Sequence, residues 1–381
     1  MSDPIDFIPV NTPLLAGNEK KYLIECIDSG WVSSEGPFVK KFEEMCAGYV
    51  GVKYGVAVTN GTAALETALF AIGTEKDDEV IMPSFTIISC AIACIRLGAK
   101  PVLVDIDPET WTMDVLKIGE KITPKTKAIM PVHIYGHPVD MDEIFKLSER
   151  YNIKIIEDAA EVHGAEYFSE YRGRQWLKCG SMGDIASTSF YANKIITTGE
   201  GGMVLTNNLS YAARARYYRD LCFNPERRFY HTDLGYNFRM SNLQAAVGVA
   251  QIEQIEKFIK IKQDNASYYR EKLGPLNMLR FMTVKEYAKS VYWMYAVELD
   301  PAFATAEEMM NRLRKHGIGT RPFFRGLHDQ PALNKMGLFK NEKYPLTDNA
   351  YQYGFYLPSG LMLTHAQIDK VIEAIKREVG A

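Results

Sequence analysis

Short, almost continuously apolar runs alternate with longer segments of helical period over the first two-thirds of the chain. Runs at Glu79–Met82, Pro101–Asp105, Ala128–His133, Ile153–Glu157 and Met203–Thr206 predict buried strands, and Val56–Val58 predicts another. Between them, Asp140–Asn152 places Met141, Ile144, Phe145 and Leu147 on one face of a helix. Such alternation predicts an α/β domain with a mostly parallel sheet and helices on both faces. After Met240 the pattern changes to a long helical stretch beginning at SNLQAAVG. Two later helices open with capping boxes, Thr305 with Glu308 and Thr364 with Gln367, and Trp293–Leu299 predicts a strand between long helices. The expected division is a large domain over residues 1–250 and a smaller C-terminal α+β domain over 251–381.

Composition narrows the function classes. The 381 residues are 47% hydrophobic and 24% charged, with a formal net charge of −3. That balance carries no basic excess for nucleic acid. The longest apolar runs, such as IISCAIACI, fall short of a membrane span, and MSDPIDFIPVNTP shows no signal-peptide pattern, so a cytoplasmic protein is expected. The six cysteines form no CxxC pair and predict buried thiols, with no metal site.

Open α/β sheets bind ligands beyond the strand ends. After Val56–Val58, Asn60-Gly61-Thr62-Ala63 opens a helix, which suits either a plain N-cap turn or a phosphate cradle. After Ile153–Ile156 comes Glu157-Asp158-Ala159-Ala160-Glu161. A carboxylate there is either a helix cap or the partner of a buried cation. Lys194 stands between apolar segments, followed by Gly199, Gly201 and Gly202, a setting for a partly buried amine of lowered pKa.

The strings NGTAAL, PVHIYGHPVDMD, IEDAAE, SFYANKIITTGEGGM and GYNFRMSNLQAAVG resemble the DegT/DnrJ/EryC1/StrS family of sugar aminotransferases. The resemblance runs from about Ile8 to the last helix. It implies the aspartate-aminotransferase (fold type I) architecture and pyridoxal 5'-phosphate (PLP) as cofactor. It further implies that Lys194 holds the cofactor as a Schiff base and shuttles a proton when released. Asp158 would pair with the pyridine nitrogen, and Glu161 would lie beside the ring hydroxyl. Gly61, Thr62 and Ser189 would cradle the phosphate. Asn237 would reach the partner subunit's cofactor, which implies a homodimer. For the substrate, the resemblance points to Trp31 and Ser34 in an entrance loop, His328 in a closing loop, and the arginines Arg239 and Arg321, with Arg325 as a further candidate.

Asn224-Pro225-Glu226-Arg227-Arg228 and Tyr292-Trp293-Met294-Tyr295 most resemble family members that aminate C4 of a GDP-linked 4-keto-6-deoxyhexose, for surface polysaccharide or lipopolysaccharide. Glutamate would be the amino donor. A dTDP- or UDP-linked keto-sugar, or a Kdo-related keto-sugar acid, remains the alternative. A sugar dehydratase would carry histidine in place of Lys194, and a regulator would carry an added DNA-binding segment. Two departures stand out. Ile87 occupies a position where relatives place a ring-stacking aromatic residue, and Phe168–Lys178 is longer than expected, as a pocket-shaping insertion or a surface hairpin.

Overall fold

The computed structural model describes residues 7–224 and 226–380. Pro225, within one of the segments quoted above, lies outside them. Nine strands form in the first 206 residues: β1 (Tyr54–Val58), β2 (Glu79–Pro83), β3 (Lys100–Val104), β4 (Thr126–Ile129), β5 (Lys154–Asp158), β6 (Glu166–Ser169), β7 (Gln175–Lys178), β8 (Ile185–Ser189) and β9 (Gly202–Thr206). Seven make one sheet in the order β1-β9-β8-β5-β4-β2-β3. Its pairings are parallel from β8 to β3, whereas β9 runs antiparallel to both β8 and β1. Every residue of β8 and β9 is buried, which explains their lack of polar alternation.

Local chemistry sets the helix ends. Asp140 caps Met141–Tyr151 by accepting from the Asp142 N–H, and Asn152 ends it in the left-handed region at φ 53°. Both expected capping boxes form, and a third joins Ser241 to Gln244 at the start of Asn242–Ile252. The long stretch expected after Met240 is two helices, Asn242–Ile252 and Ile255–Leu273, separated at Glu253 and Gln254. The expected strand Ala128–His133 ends its ladder at Ile129, because Met130–Ile134 turns into the site and keeps only isolated bridges at Val132 and Ile134.

Five further strands follow: β10 (Leu279–Phe281), β11 (Ala288–Lys289), β12 (Tyr295–Leu299), β13 (Arg321–Pro322) and β14 (Gly354–Leu357). β10, β12, β14 and β13 form an antiparallel sheet whose core includes Tyr269, Val297, Met309, Phe355 and Ile372. Ile8 joins that core and bridges Ile318, so the start of the chain packs with its C-terminal part. The Phe168–Lys178 segment is a surface hairpin of β6 and β7, extended by β11. All six cysteines are free and buried. Among the described residues, no helix is long and apolar enough to cross a membrane, and no cluster of acidic, histidine or cysteine side chains could hold a metal ion.

Candidate active site

The ends of β1, β5 and β8 open onto a cavity of about 480 Å³. Its floor carries Lys194, Asp158, Glu161, Gly61, Thr62 and Ser189. These residues come from three chain segments, at positions 61–62, 158–161 and 189–194, brought together because β8 pairs with β5 and β9 pairs with β1.

The helix Gly61–Ala71 begins at this floor. Asn60 caps it, with Oδ1 accepting from the Ala63 N–H at 2.9 Å. The Ala64 N–H goes to the Asn60 carbonyl, leaving the Gly61 and Thr62 N–H groups without a helical acceptor. Gly61 is required by a close approach, since a Cβ there would lie 2.9 Å from the Ser189 Cβ. Thr62 Oγ1 donates to Ser89 Oγ at 2.8 Å, and Ser189 Oγ accepts from the Tyr191 N–H at 3.3 Å. A helix N-terminus with two free N–H groups and two hydroxyls suits an anion.

Asp158 ends β5 and is almost fully buried. Oδ1 accepts from the Ala160 N–H at 3.1 Å, and Oδ2 accepts from the Cys90 thiol at 3.3 Å. Burial raises its pKa, opposed by these two donors and by the charge of Lys194. Behind it lies a closed polar network. The Val139 N–H donates to His133 Nδ1, which puts the ring proton on Nε2, and Nε2 faces Glu157 Oε2 at 3.1 Å. Glu157 also accepts from the N–H groups of Gly180, Met182 and Gly183. This wholly buried carboxylate is satisfied without reaching the cavity.

Lys194 lies in the loop between β8 and β9. Its Nζ stands 3.7 Å from Glu161 Oε1 and 3.8 Å from the centre of the Trp293 ring. Burial lowers the lysine's pKa, against the pull of Glu161 and Asp158. Burial pushes the Glu161 carboxyl up to about 7, opposed first by the charge of Lys194 and then by the Tyr135 N–H that donates to Oε2 at 2.9 Å. His163, whose Nε2 meets Thr188 Oγ1 at 2.8 Å, is held neutral, its pKa lowered to about 3 by burial.

A sheet with one antiparallel strand, a lysine in the loop before that strand, and a carboxylate at the end of β5 thus share one cavity. The model of the DegT/DnrJ/EryC1/StrS aminotransferase family matches residues 13–376. The chain belongs to that family. It is 42% identical over 377 residues to the GDP-perosamine synthase of Caulobacter vibrioides, covering 98% of this chain and 99% of that one. It is 41% identical over 372 residues to the GDP-perosamine synthase of Escherichia coli O157:H7, covering 97% and 98%. Among solved structures it is similar to DesV of S. venezuelae, determined in complex with a ketimine intermediate. The TM-score is 0.87 at 30% identity, over 96% of this chain and 95% of that one. The fold is therefore that of the fold type I aminotransferases, and the chain is an enzyme of that class.

The aminotransferase does not bring all of the expected residues to this cavity. Trp31 and Ser34 lie on a loop pinned by Asn242, whose N–H donates to the Ser33 carbonyl and whose amide donates to the Trp31 carbonyl; neither Trp31 nor Ser34 lines the cavity. Asn237 is exposed and accepts from Arg239 Nε at 3.1 Å, while Arg239 Nη1 pairs with Asp220 at 2.5 Å. Arg321 sits on β13 at a separate groove beside Arg314, one strand away from the cavity residue Tyr356. Arg325 is paired with Asp329. His328 is buried: Nε2 meets Asp348 Oδ1 at 2.9 Å and the ring packs on Tyr344, so in this chain it braces the loop and does not enter the cavity.

Three wall residues escaped the sequence reading. Trp293, Phe324 and Tyr356 come from the last third of the chain and line the cavity. Half-exposed Ile87 also lines the cavity, and the rings that line it are those of Trp293, Phe324 and Tyr356 among others, with none at position 87. Only the Tyr292-Trp293-Met294-Tyr295 string offered a signal, and it does not say which ring points inward. Cys90, the thiol on Asp158, likewise read as an ordinary buried cysteine.

Proposed function

We propose that this chain is a PLP-dependent aminotransferase that moves an amino group from glutamate to C4 of a GDP-linked 4-keto-6-deoxyhexose, for surface polysaccharide synthesis in the cytoplasm. The observation that carries the chemistry is Lys194, buried in one cavity with Asp158 and the N-terminus of the helix Gly61–Ala71. The nucleotide and sugar follow from full-length identity above 40% to two GDP-perosamine synthases.

The residues present fit the cofactor. The Gly61–Ser189 approach, which a Cβ would fill, leaves room for a phosphate at the free N–H groups. Asp158, with its remaining lone pairs toward the cavity, suits a protonated ring nitrogen. Glu161 would lie beside the ring hydroxyl. When bound, PLP supplies an electron sink that makes the proton on the carbon bearing the amino group removable. Lys194 Nζ is the group placed to carry the cofactor and, when free, to take and return that proton. Asp158 would keep the ring nitrogen protonated, and Trp293, Phe324 and Tyr356, which line the same cavity, would exclude water from it. Exposed Asn237 completes the neighbouring site in a homodimer.

The test is incubation with PLP, glutamate and a panel of keto-sugars, reading 2-oxoglutarate release and product mass. The panel holds GDP-4-keto-6-deoxymannose, its dTDP and UDP counterparts and a keto-sugar acid. Preferential turnover of the GDP sugar is expected. Turnover of another member alone would replace the substrate while keeping the chemistry.

A further inference from the structure

We propose that the Glu161 carboxylate and the Trp293 ring together hold Lys194 as an ammonium ion in the cofactor-free protein, so that Glu161 sets the pH at which the lysine takes up the cofactor. The proposal rests on the reading of Lys194 as the cofactor lysine.

Burial alone would strip the charge from this amine. Two features oppose it from opposite parts of the chain. Glu161 Oε1 lies at 3.7 Å, and its carboxylate cannot turn away freely because Oε2 is occupied by the Tyr135 N–H. The Trp293 ring lies at 3.8 Å and offers the negative face of its quadrupole. That residue is fixed twice. Its indole N–H donates to the carbonyl of Asn193, the residue before the lysine, at 2.7 Å. The backbone carbonyl of Trp293 accepts from the buried Lys262 Nζ at 2.8 Å, which holds the residue in place.

Other titratable groups face the same pocket without taking this role. Asp158 also attracts the ammonium, but the carboxylate within ion-pair reach of Nζ is that of Glu161, at 3.7 Å. His163 is neutral, and burial keeps the Tyr135 and Tyr356 phenols protonated. Glu161 is thus the carboxylate that pairs directly with Lys194. Uptake of an aldehyde requires the uncharged amine, so its rate follows the neutral fraction of Lys194. Removing the anion destabilises the ammonium form, lowers the lysine's pKa and moves uptake to lower pH.

The test uses full-length protein stripped of cofactor and mixed with PLP from about pH 6 to about pH 10, following growth of the protein-bound cofactor absorbance. Glu161→Gln is expected to move the midpoint of the rate profile down by about one unit or more, equivalent to about tenfold faster uptake below the wild-type midpoint. Trp293→Leu is expected to move it in the same direction by less. An unchanged or raised midpoint in Glu161→Gln overturns the proposal. Circular dichroism checks folding; if Glu161→Gln does not fold, Glu161→Asp, which draws the carboxylate back by one methylene, must show a smaller downward shift. Lys194→Ala separates the two readings. If it acquires the same absorbance, the assignment of the cofactor lysine fails, whatever Glu161 does.

Discussion

The floor of the cavity and its rim are built in different ways. At the floor, Asp158 and Ser189 end buried strands, and Gly61 and Lys194 lie in the segments that follow β1 and β8, held by strand register, hydrogen bonds or a close approach. At the rim, Asn237, Arg239 and Arg325 lie on exposed or half-exposed loops and spend their polar groups on one another or on nearby carboxylates, and exposed Trp31 is held through its backbone by Asn242. The contrast teaches that the residues proposed for the chemical step sit in a preorganised frame, whereas those proposed for substrate recognition lie on loops and do not themselves line the cavity.

The largest effect should come from the floor. Lys194→Ala is expected to lower 2-oxoglutarate release by about 10⁴-fold or more while leaving the far-ultraviolet circular dichroism unchanged. Near-wild-type turnover would remove the floor from the chemistry altogether. Asp158→Asn should cost on the order of 10²-fold in kcat, with a smaller change in the KM for glutamate, because it removes a charge aimed at one atom. A change confined to KM would make Asp158 a mere binding contact.

Next in size is Gly61→Ala. Its new Cβ must displace Ser189, at about 1–3 kcal/mol in stability, and cofactor affinity measured by absorbance titration should weaken about tenfold. At the rim, His328→Ala should appear first as a melting temperature lowered by a few degrees, reflecting about 1–2 kcal/mol from the lost Asp348 bond. A tenfold rise in the KM for the sugar at an unchanged melting temperature would instead make His328 part of the binding surface. The smallest effect is expected of Trp176→Ala on the hairpin, within about 0.5 kcal/mol in stability and with unchanged KM. A sugar-specific rise in KM there would return the insertion to the pocket.

The same contrast decided what the sequence could say. The strands were legible to within a residue or two where they are buried on both faces, as at Glu79–Pro83 and Gly202–Thr206, and Lys194 and Asp158 were legible because a motif and a strand end coincide. The antiparallel direction of β9 was not, since a five-residue buried run has no polarity that reveals it. The break at Glu253 and Gln254 was hidden because both sides keep a helical period. Trp293 and Tyr356 reach Lys194's cavity through packing between distant segments, which no local pattern encodes. His328 was read from its loop, but its burial depends on Asp348 and Tyr344 twenty and sixteen positions later.

The place of β1 at the edge of the sheet has a consequence for how the chain is made. Within the sheet β1 has β9 as its one neighbouring strand, and its Tyr54 pairs with Thr206, roughly 150 residues downstream. At a synthesis rate of about 5–20 residues per second, β1 leaves the ribosome roughly 10–30 seconds before its neighbouring strand exists. For that time Val56, Ala57 and Val58, all destined for the interior, have no strand to pair with. The nascent protein is then most exposed to misassociation, and a chaperone that holds the first sixty residues would protect the final yield more than one acting after release.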